Sequence, residues 1–337
     1  MKAFVIKEPG NVAIETVADA VVTNDDVLLK VRMIGLCGTD LSSYRGKNPL
    51  ITFPRIPGHE VAATIAEPSK AHPELAAGMD VTLSPYFGCG RCPACLRGRP
   101  NACQFNETLG VQRNGAMTEY IAVPAAKLYP ARLSIKELCL VEPLTVGFHA
   151  VDRGRVTKQD AVAIFGCGGV GLGAIAASGF RGAKTIAVDL DDAKLALALH
   201  AGATHTINTT RQPLHEHLLE LTGGRGPDVV IEAIGLPQTF RSAVDEVAFT
   251  GRVVYIGYAK EPVAYETRLF VEKELDIFGS RNALPEDFQT VIRMLEERKF
   301  PVDDAVSSII SLDDAPRVLK AWSSNPLEFT KIMVQLD

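Results

Sequence analysis

AVAIFGCGGVGLGAIAASGF, residues Ala161 to Phe180, decides how this chain folds. It is uncharged and long enough to cross a bilayer, yet six of its twenty residues are glycine, which disfavours a lone helix. The same letters suit a buried strand, a tight turn and the start of a helix. Gly166, Gly168 and Gly171 stand in the order G-x-G-x-x-G after the strand AVAIF, and Gly169 and Val170 complete the loop. Such glycines let a backbone approach a pyrophosphate, and the helix that follows offers free N–H groups and a partial positive charge. The stretch is read as the start of a dinucleotide-binding unit, with no membrane span.

The next apolar run, TIAVDL, ends at Asp189, 23 positions after Gly166. An acidic residue there bonds the adenosine ribose hydroxyls and repels a 2′-phosphate, which favours NAD over NADP. The competing role, capping the next helix, is open to Asp191 or Asp192. Lys194 is placed on the same cofactor side. Beyond it, DDAKLALALHAGA, HEHLLELT and QTFRSAVDEVAF read as helices, with THTIN, PDVVIEAIG and GRVVYIGY as strands between and after them. That alternation implies a doubly wound parallel sheet. Ala233, Gly235 and Gly257 would then line the nicotinamide crevice.

The 337 residues suggest two domains, and the formal net charge of −5 comes without a long basic block. Nucleic acid and membranes are therefore not expected partners. Seven cysteines are present. Cys89, Cys92, Cys95 and Cys103 crowd into GCGRCPACLRGRPNAC, and repeated two-residue gaps favour tetrahedral ligation of a closed, structural zinc over disulfides. Cys37, Cys139 and Cys167 are left over. The N-terminus reads without a secretory leader, so a reducing, cytoplasmic setting is expected.

Upstream of the glycine loop lie GLCGTD with Cys37, PGHE with His59 and Glu60, and VEPLTVGFHA with Glu142. A thiolate, an imidazole and a carboxylate can hold zinc and leave a position open for an oxygen ligand. Singly these residues are unremarkable. GLCGTD, PGHE, the four-cysteine lobe, VEPL and GCGGVG together resemble, in order and over essentially the whole chain, the zinc-dependent medium-chain alcohol dehydrogenases. The chain is similar to their sorbitol, threonine and sugar-acid branch, and GSRNALPEDF looks closest to L-galactonate or L-gulonate 5-dehydrogenases and related starvation-sensing oxidoreductases.

The resemblance implies a GroES-like β-barrel catalytic domain over residues 1–147, its zinc lobe at about 86–105, a Rossmann NAD-binding domain over 148–282, and a segment 283–337 returning to the catalytic domain. Ala283, Leu284 and Pro285 would form part of the hinge. It implies two zinc ions per chain and NAD as cofactors, a small-molecule substrate, and a homodimer or homotetramer through Rossmann edges. Cys37, His59 and Glu142 are carried over to the catalytic zinc, with Glu60 beside it as a further ligand or catalytic group. Thr39, two residues after Cys37, takes the proton of the alcohol oxygen.

Two departures bear on substrate and proton flow. Many members have histidine five positions after the zinc cysteine, where this chain has Ser42, whose hydroxyl has no pKa near neutrality. Arg281 could receive a substrate carboxylate bidentately, or pair with Glu286 or Asp287. The expected reaction is hydride transfer from a secondary hydroxyl of a hexonate to NAD. A neutral polyol dehydrogenase, threonine 3-dehydrogenase and a non-catalytic nucleotide-binding protein are the alternatives.

Overall fold

The computed structural model describes residues 1–23, 25–326 and 329–336. The chain forms two compact units, Met1–Glu142 with Val302–Asp337, and Pro143–Pro301. The first division falls inside the helix Ile135–Arg153, at Pro143, which cannot donate to the helical ladder.

In the second unit, six parallel strands are ordered His205–Asn208, Lys184–Asp189, Ala161–Phe165, Val229–Glu232, Arg252–Tyr255 and Asp276–Gly279. Ala161–Phe165 is buried almost throughout, and Gly169–Phe180 is a helix, so the run that could have crossed a membrane is a strand, a turn and a helix. Among the described residues no helix is long and apolar enough to cross one. The strand order reverses between Ala161–Phe165 and Val229–Glu232. Open α/β sheets bind ligands at the carboxyl ends of strands beside such a reversal.

The first unit holds a seven-stranded sheet. Its path runs Ser308–Ser311, Ile332–Gln335, Asp26–Leu36, Glu60–Glu67, Asp80–Leu83 and Leu128–Pro130, with Tyr120–Pro124 also pairing Asp26–Leu36. All its pairings are antiparallel except that of the first two strands. Val318, Leu319 and Trp322 of the helix Ala315–Ser324, with Ile332 and Val334, are buried in the same core as Leu29, Ile34, Val61 and Leu83. The C-terminal segment is therefore part of this unit's core.

That return begins at Val302, later than the expected residue 283. The helix Pro285–Glu296 belongs to the second unit, where its buried face carries Phe288, Val291, Met294 and Leu295. His149 Nδ1 lies 3.0 Å from Asp287 Oδ2, and both side chains are buried. Asp287 Oδ2 also accepts from the Leu284 N–H, which fixes the start of the helix.

Candidate active site

Strand register assembles the first cluster. Gly35 pairs with Glu60 across two antiparallel strands, so Cys37, two residues beyond Gly35, and His59, one residue before Glu60, emerge at the same end of the ladder. On the other flank Leu36 pairs with Ile332, which brings Lys331 to that end as well. The ligand atoms of Cys37, His59 and Glu60 lie within 4.8 Å of one another. A side chain at position 35 would not fit, because its Cβ would stand 1.9 Å from Glu60 Oε2.

The surrounding groups orient each donor. Lys331 Nζ donates to both Glu60 oxygens at 2.7 and 2.6 Å and to the Leu36 carbonyl at 3.4 Å, with both charged side chains buried. Burial lowers the Lys331 pKa, but the Glu60 charge, the Cys37 charge and the hydrogen bond to Glu60 together outweigh it and raise it. Cys37 starts the helix Gly38–Tyr44, and its N–H donates to Asp40 Oδ2 at 2.9 Å. The other Asp40 oxygen is 4.0 Å from His59 Nδ1. Thr39 Oγ1 is 3.6 Å from Cys37 Sγ.

Glu142 stands apart from that group. Its Oε1 accepts the phenol hydrogen of Tyr86 in a short, buried contact. Burial raises its pKa first, His59 opposes this, and the nearby Glu60 adds to it, leaving the carboxyl at about 7. Burial also works against charging His59, yet Asp40, Cys37 and Glu142 together raise its pKa well above the ordinary value. Several potential anions thus face one buried imidazole. Asp40 Oδ1 and His59 Nδ1 are buried with no hydrogen-bond partner. A divalent cation on Cys37, His59 and Glu60 would relieve this crowding, so the donor set fits zinc.

The second cluster is local. Cys89, Cys92, Cys95 and Cys103 have ligand atoms within 4.8 Å of one another. Sγ of Cys92 lies 3.6 Å from that of Cys95 and 3.7 Å from that of Cys103. Those spacings match the edge of a tetrahedron with zinc–sulfur bonds of about 2.3 Å, which is about 3.8 Å. The N–H groups of Cys89 and Phe105 both point at Cys103 Sγ at 3.3 Å, which stabilises a thiolate. The two-stranded ladder pairing Tyr86 with Thr108 and Phe87 with Glu107 closes the base of the lobe.

In the second unit, Gly166 has φ +94°, and a Cβ on Gly171 would meet the Gly166 carbonyl at 1.8 Å. Gly168 and Gly169 have open space where a Cβ would stand, and Gly168 begins the helix that carries Val170, with no side-chain cap. The cradle fits a pyrophosphate. Asp189 accepts from the N–H of Cys167 at 2.7 Å and from Leu190 at 2.8 Å, so it faces the glycine loop. Asp191 caps the next helix by accepting from Ala193 and Lys194, which leaves Asp189 free of that role. Lys194 is near enough for its charge to act on Cys167.

Arg281 is exposed in the second unit. Of its two expected carboxylate partners, Asp287 is engaged by His149 and Leu284 as described above.

Two family models match: zinc-binding dehydrogenase over residues 169–297 and alcohol dehydrogenase GroES-like domain over residues 23–133. A sorbitol dehydrogenase of Bacillus subtilis is 34% identical over 347 aligned positions, covering 99% of this chain and 97% of that protein. The chain belongs to the zinc-binding dehydrogenases. L-Galactonate-5-dehydrogenase of Escherichia coli K12 is 32% identical over 83% of each chain. Among solved structures, an Escherichia coli CFT073 alcohol dehydrogenase complexed with NADH superposes with a TM-score of 0.92 at 27% identity, covering 100% of this chain and 99% of that one. A zinc-binding dehydrogenase of Sinorhizobium meliloti bound to NADP gives 0.92 at 30% identity, with 99% of each chain covered.

Sequence reasoning missed three residues of the first cluster: Asp40, Tyr86 and Lys331. Asp40 lies inside the quoted GLCGTD, and its signal was an acid three residues after a ligand, able to bond back to the turn. Tyr86 and Lys331 are joined to the cluster only by strand pairing and helix placement, for which the sequence offers no local sign.

Proposed function

We propose that this zinc-type dehydrogenase oxidises a secondary hydroxyl of a hexonate, of the L-gulonate or L-galactonate type, with NAD as hydride acceptor. The observation that carries the reaction class is the convergence of half-buried Cys37 with buried His59 and Glu60 within ligand distance. Cys37, His59 and Glu60, with Glu142 as an exchanging ligand, would hold one zinc, and the four lobe cysteines a second. When bound, the first zinc supplies Lewis acidity at an alcohol oxygen, and NAD supplies the hydride acceptor.

The chain's own residues then have separable tasks. Thr39, beside Cys37, accepts the hydroxyl proton and passes it on. Asp40, with one oxygen 4.0 Å from His59 Nδ1, keeps a negative charge beside the imidazole. Ser42, one turn further along the same helix, cannot store a proton near neutrality, so the relay ends in water or buffer. Gly166, Gly168, Gly169, Val170 and Gly171 cradle the pyrophosphate, Asp189 takes the adenosine ribose, and Lys194 supports that end.

Support for an anionic substrate comes from the Arg281 guanidinium and from the L-galactonate-5-dehydrogenase relative. The neutral polyol reading has its own support in the near full-length likeness to a sorbitol dehydrogenase. Ile277 is exposed on Asp276–Gly279, the outer strand of the parallel sheet, and Val271 is exposed shortly before it. Such an edge supports assembly into a homodimer or homotetramer. A cytoplasmic location accords with seven free cysteines.

Purified protein screened with NAD against hexonates, polyols and threonine tests the reading. Hexonates should give the highest kcat/KM, and Arg281→Ala should lower it roughly a hundredfold on hexonates and little on sorbitol, the loss expected for a charge-assisted bidentate contact. A uniform loss, or a preference for sorbitol, rejects the carboxylate assignment.

A further inference from the structure

Glu232 is a fully buried carboxylate at the end of the strand Val229–Glu232, directly across the strand-order reversal from the glycine loop. The residues after it lean on that loop. Ala233 donates to the Phe165 carbonyl at 2.9 Å, and a Cβ on Gly166 would stand 2.6 Å from Ile234 Cγ1. Glu232 Oε1 accepts from the N–H groups of Ile234 and Gly235, at 2.9 and 2.7 Å, and from the Thr239 hydroxyl at 2.7 Å.

The same residue ties down the neighbouring loop. Its carbonyl accepts from the N–H groups of Ile256 and Gly257, at 2.9 and 3.2 Å. Gly235, at φ +84°, is packed so closely against the Tyr258 backbone that a Cβ would meet the Tyr258 carbonyl at 2.9 Å. A Cβ on Gly257 would meet Glu232 Oε2 at 2.5 Å, and Oε2 itself is buried with no hydrogen-bond partner. Burying a carboxylate with one oxygen unsatisfied is costly, and proteins retain such groups where they serve a site.

The joined loops expose large apolar side chains: Ile234, Leu236 and Tyr258. A dinucleotide whose adenosine is held at Asp189, on one side of the reversal, must lay its other end on the opposite side, where these loops stand. We propose that Glu232 is a positioning residue that fixes the loops after Val229–Glu232 and Arg252–Tyr255 as one apolar shelf for the nicotinamide ring. This rests on the NAD reading above. The carboxylate acts through the backbone it orders and does not touch the cofactor.

The test compares NADH with ADP-ribose, which has the adenosine and both phosphates but no nicotinamide, on the full-length zinc-loaded protein by calorimetry. Unaltered protein should bind both. In Glu232→Ala, NADH binding should weaken roughly tenfold, the loss of a few hydrogen bonds' worth of order, while ADP-ribose binding stays within about twofold. Glu232→Gln keeps an acceptor oxygen and should restore NADH binding to within about threefold. Thr239→Val removes the hydroxyl that donates to Glu232 Oε1 and accepts from the Leu236 N–H at 3.3 Å, so it loosens the same loop while leaving the carboxylate in place, and should give roughly a threefold loss for NADH alone; it decides the matter if Glu232→Ala fails to fold. Equal changes for both ligands, or unaltered NADH binding in the folded variants, overturn the proposal. Unaltered protein that binds neither ligand overturns the NAD reading and the shelf with it.

Discussion

The two metal clusters are built in opposite ways. Cys89, Cys92, Cys95 and Cys103 come from one short run, and their sulfurs already have tetrahedral spacing before any distant residue takes part. Cys37, His59, Glu60, Glu142 and Lys331 come from widely separated segments, brought together by two strand registers and a helix. The first arrangement satisfies its metal and closes. The second leaves carboxylates in partial use: Glu60 is neutralised by Lys331 and Glu142 rests on Tyr86. A site that must admit an exchanging oxygen needs donors that can be released, and contiguous cysteines cannot offer that. The two are also linked, because Tyr86 sits at the base of the lobe and reaches into the open cluster.

Substitutions can break this contrast, and the largest effect is expected when the open cluster loses a ligand. His59→Ala should lower kcat by roughly a thousandfold or more, the scale of losing Lewis-acid stabilisation, with the circular dichroism spectrum unchanged. Cys103→Ser should do the reverse: metal content falls, and thermal denaturation shows a loss on the order of 4 kcal/mol, as for other removals of a structural metal. Equal damage to fold and turnover in both variants would erase the distinction.

Lys331→Met tests whether Glu60 depends on its partner. Leaving a buried carboxylate unpaired should cost about 3–5 kcal/mol in chemical denaturation. Adding Glu60→Gln should recover most of that loss, and failure to recover would mean that Lys331 acts through something other than the ion pair. Tyr86→Phe is milder, with about 1–2 kcal/mol of stability lost through one buried hydrogen bond. It should weaken zinc retention at the open cluster and leave the lobe's metal in place.

The smallest effect concerns pH. Glu142 titrates near 7 when folded, against an ordinary value of 4.5, so the folded metal-free protein binds its proton more tightly than the unfolded chain does. That contribution is complete below about pH 4.5 and is lost as the pH rises to about 7. Glu142→Gln should flatten this part of the metal-free stability profile, measured by denaturant titration, and a profile of unchanged slope would separate Glu142 from it.

What could be read from the sequence follows the same division. The glycine loop, Asp189 and the cysteine lobe are contiguous or nearly so, and each carries its chemistry in a short spacing. Cys37, His59 and Glu142 were recognisable only as members of a family pattern, since nothing in the letters says that residues 37 and 59 share the end of a ladder. Lys331 was hidden further: a lysine just ahead of the strand Ile332–Gln335 looks like a solvated strand flank until Leu36 and Ile332 pair. The boundary near residue 300 was misread for a related reason, because the His149–Asp287 pair that secures the helix Pro285–Glu296 in the second unit spans 138 positions. The outer strand Asp276–Gly279 also escaped, being short and largely exposed.

Metal analysis coupled to stepwise chelation tests the central claim most directly. Two zinc ions per chain are expected, the first removed with loss of NAD-dependent turnover and an unchanged circular dichroism spectrum, the second only as the thermal transition collapses. A single zinc per chain, or turnover that survives removal of the labile ion, would contradict it.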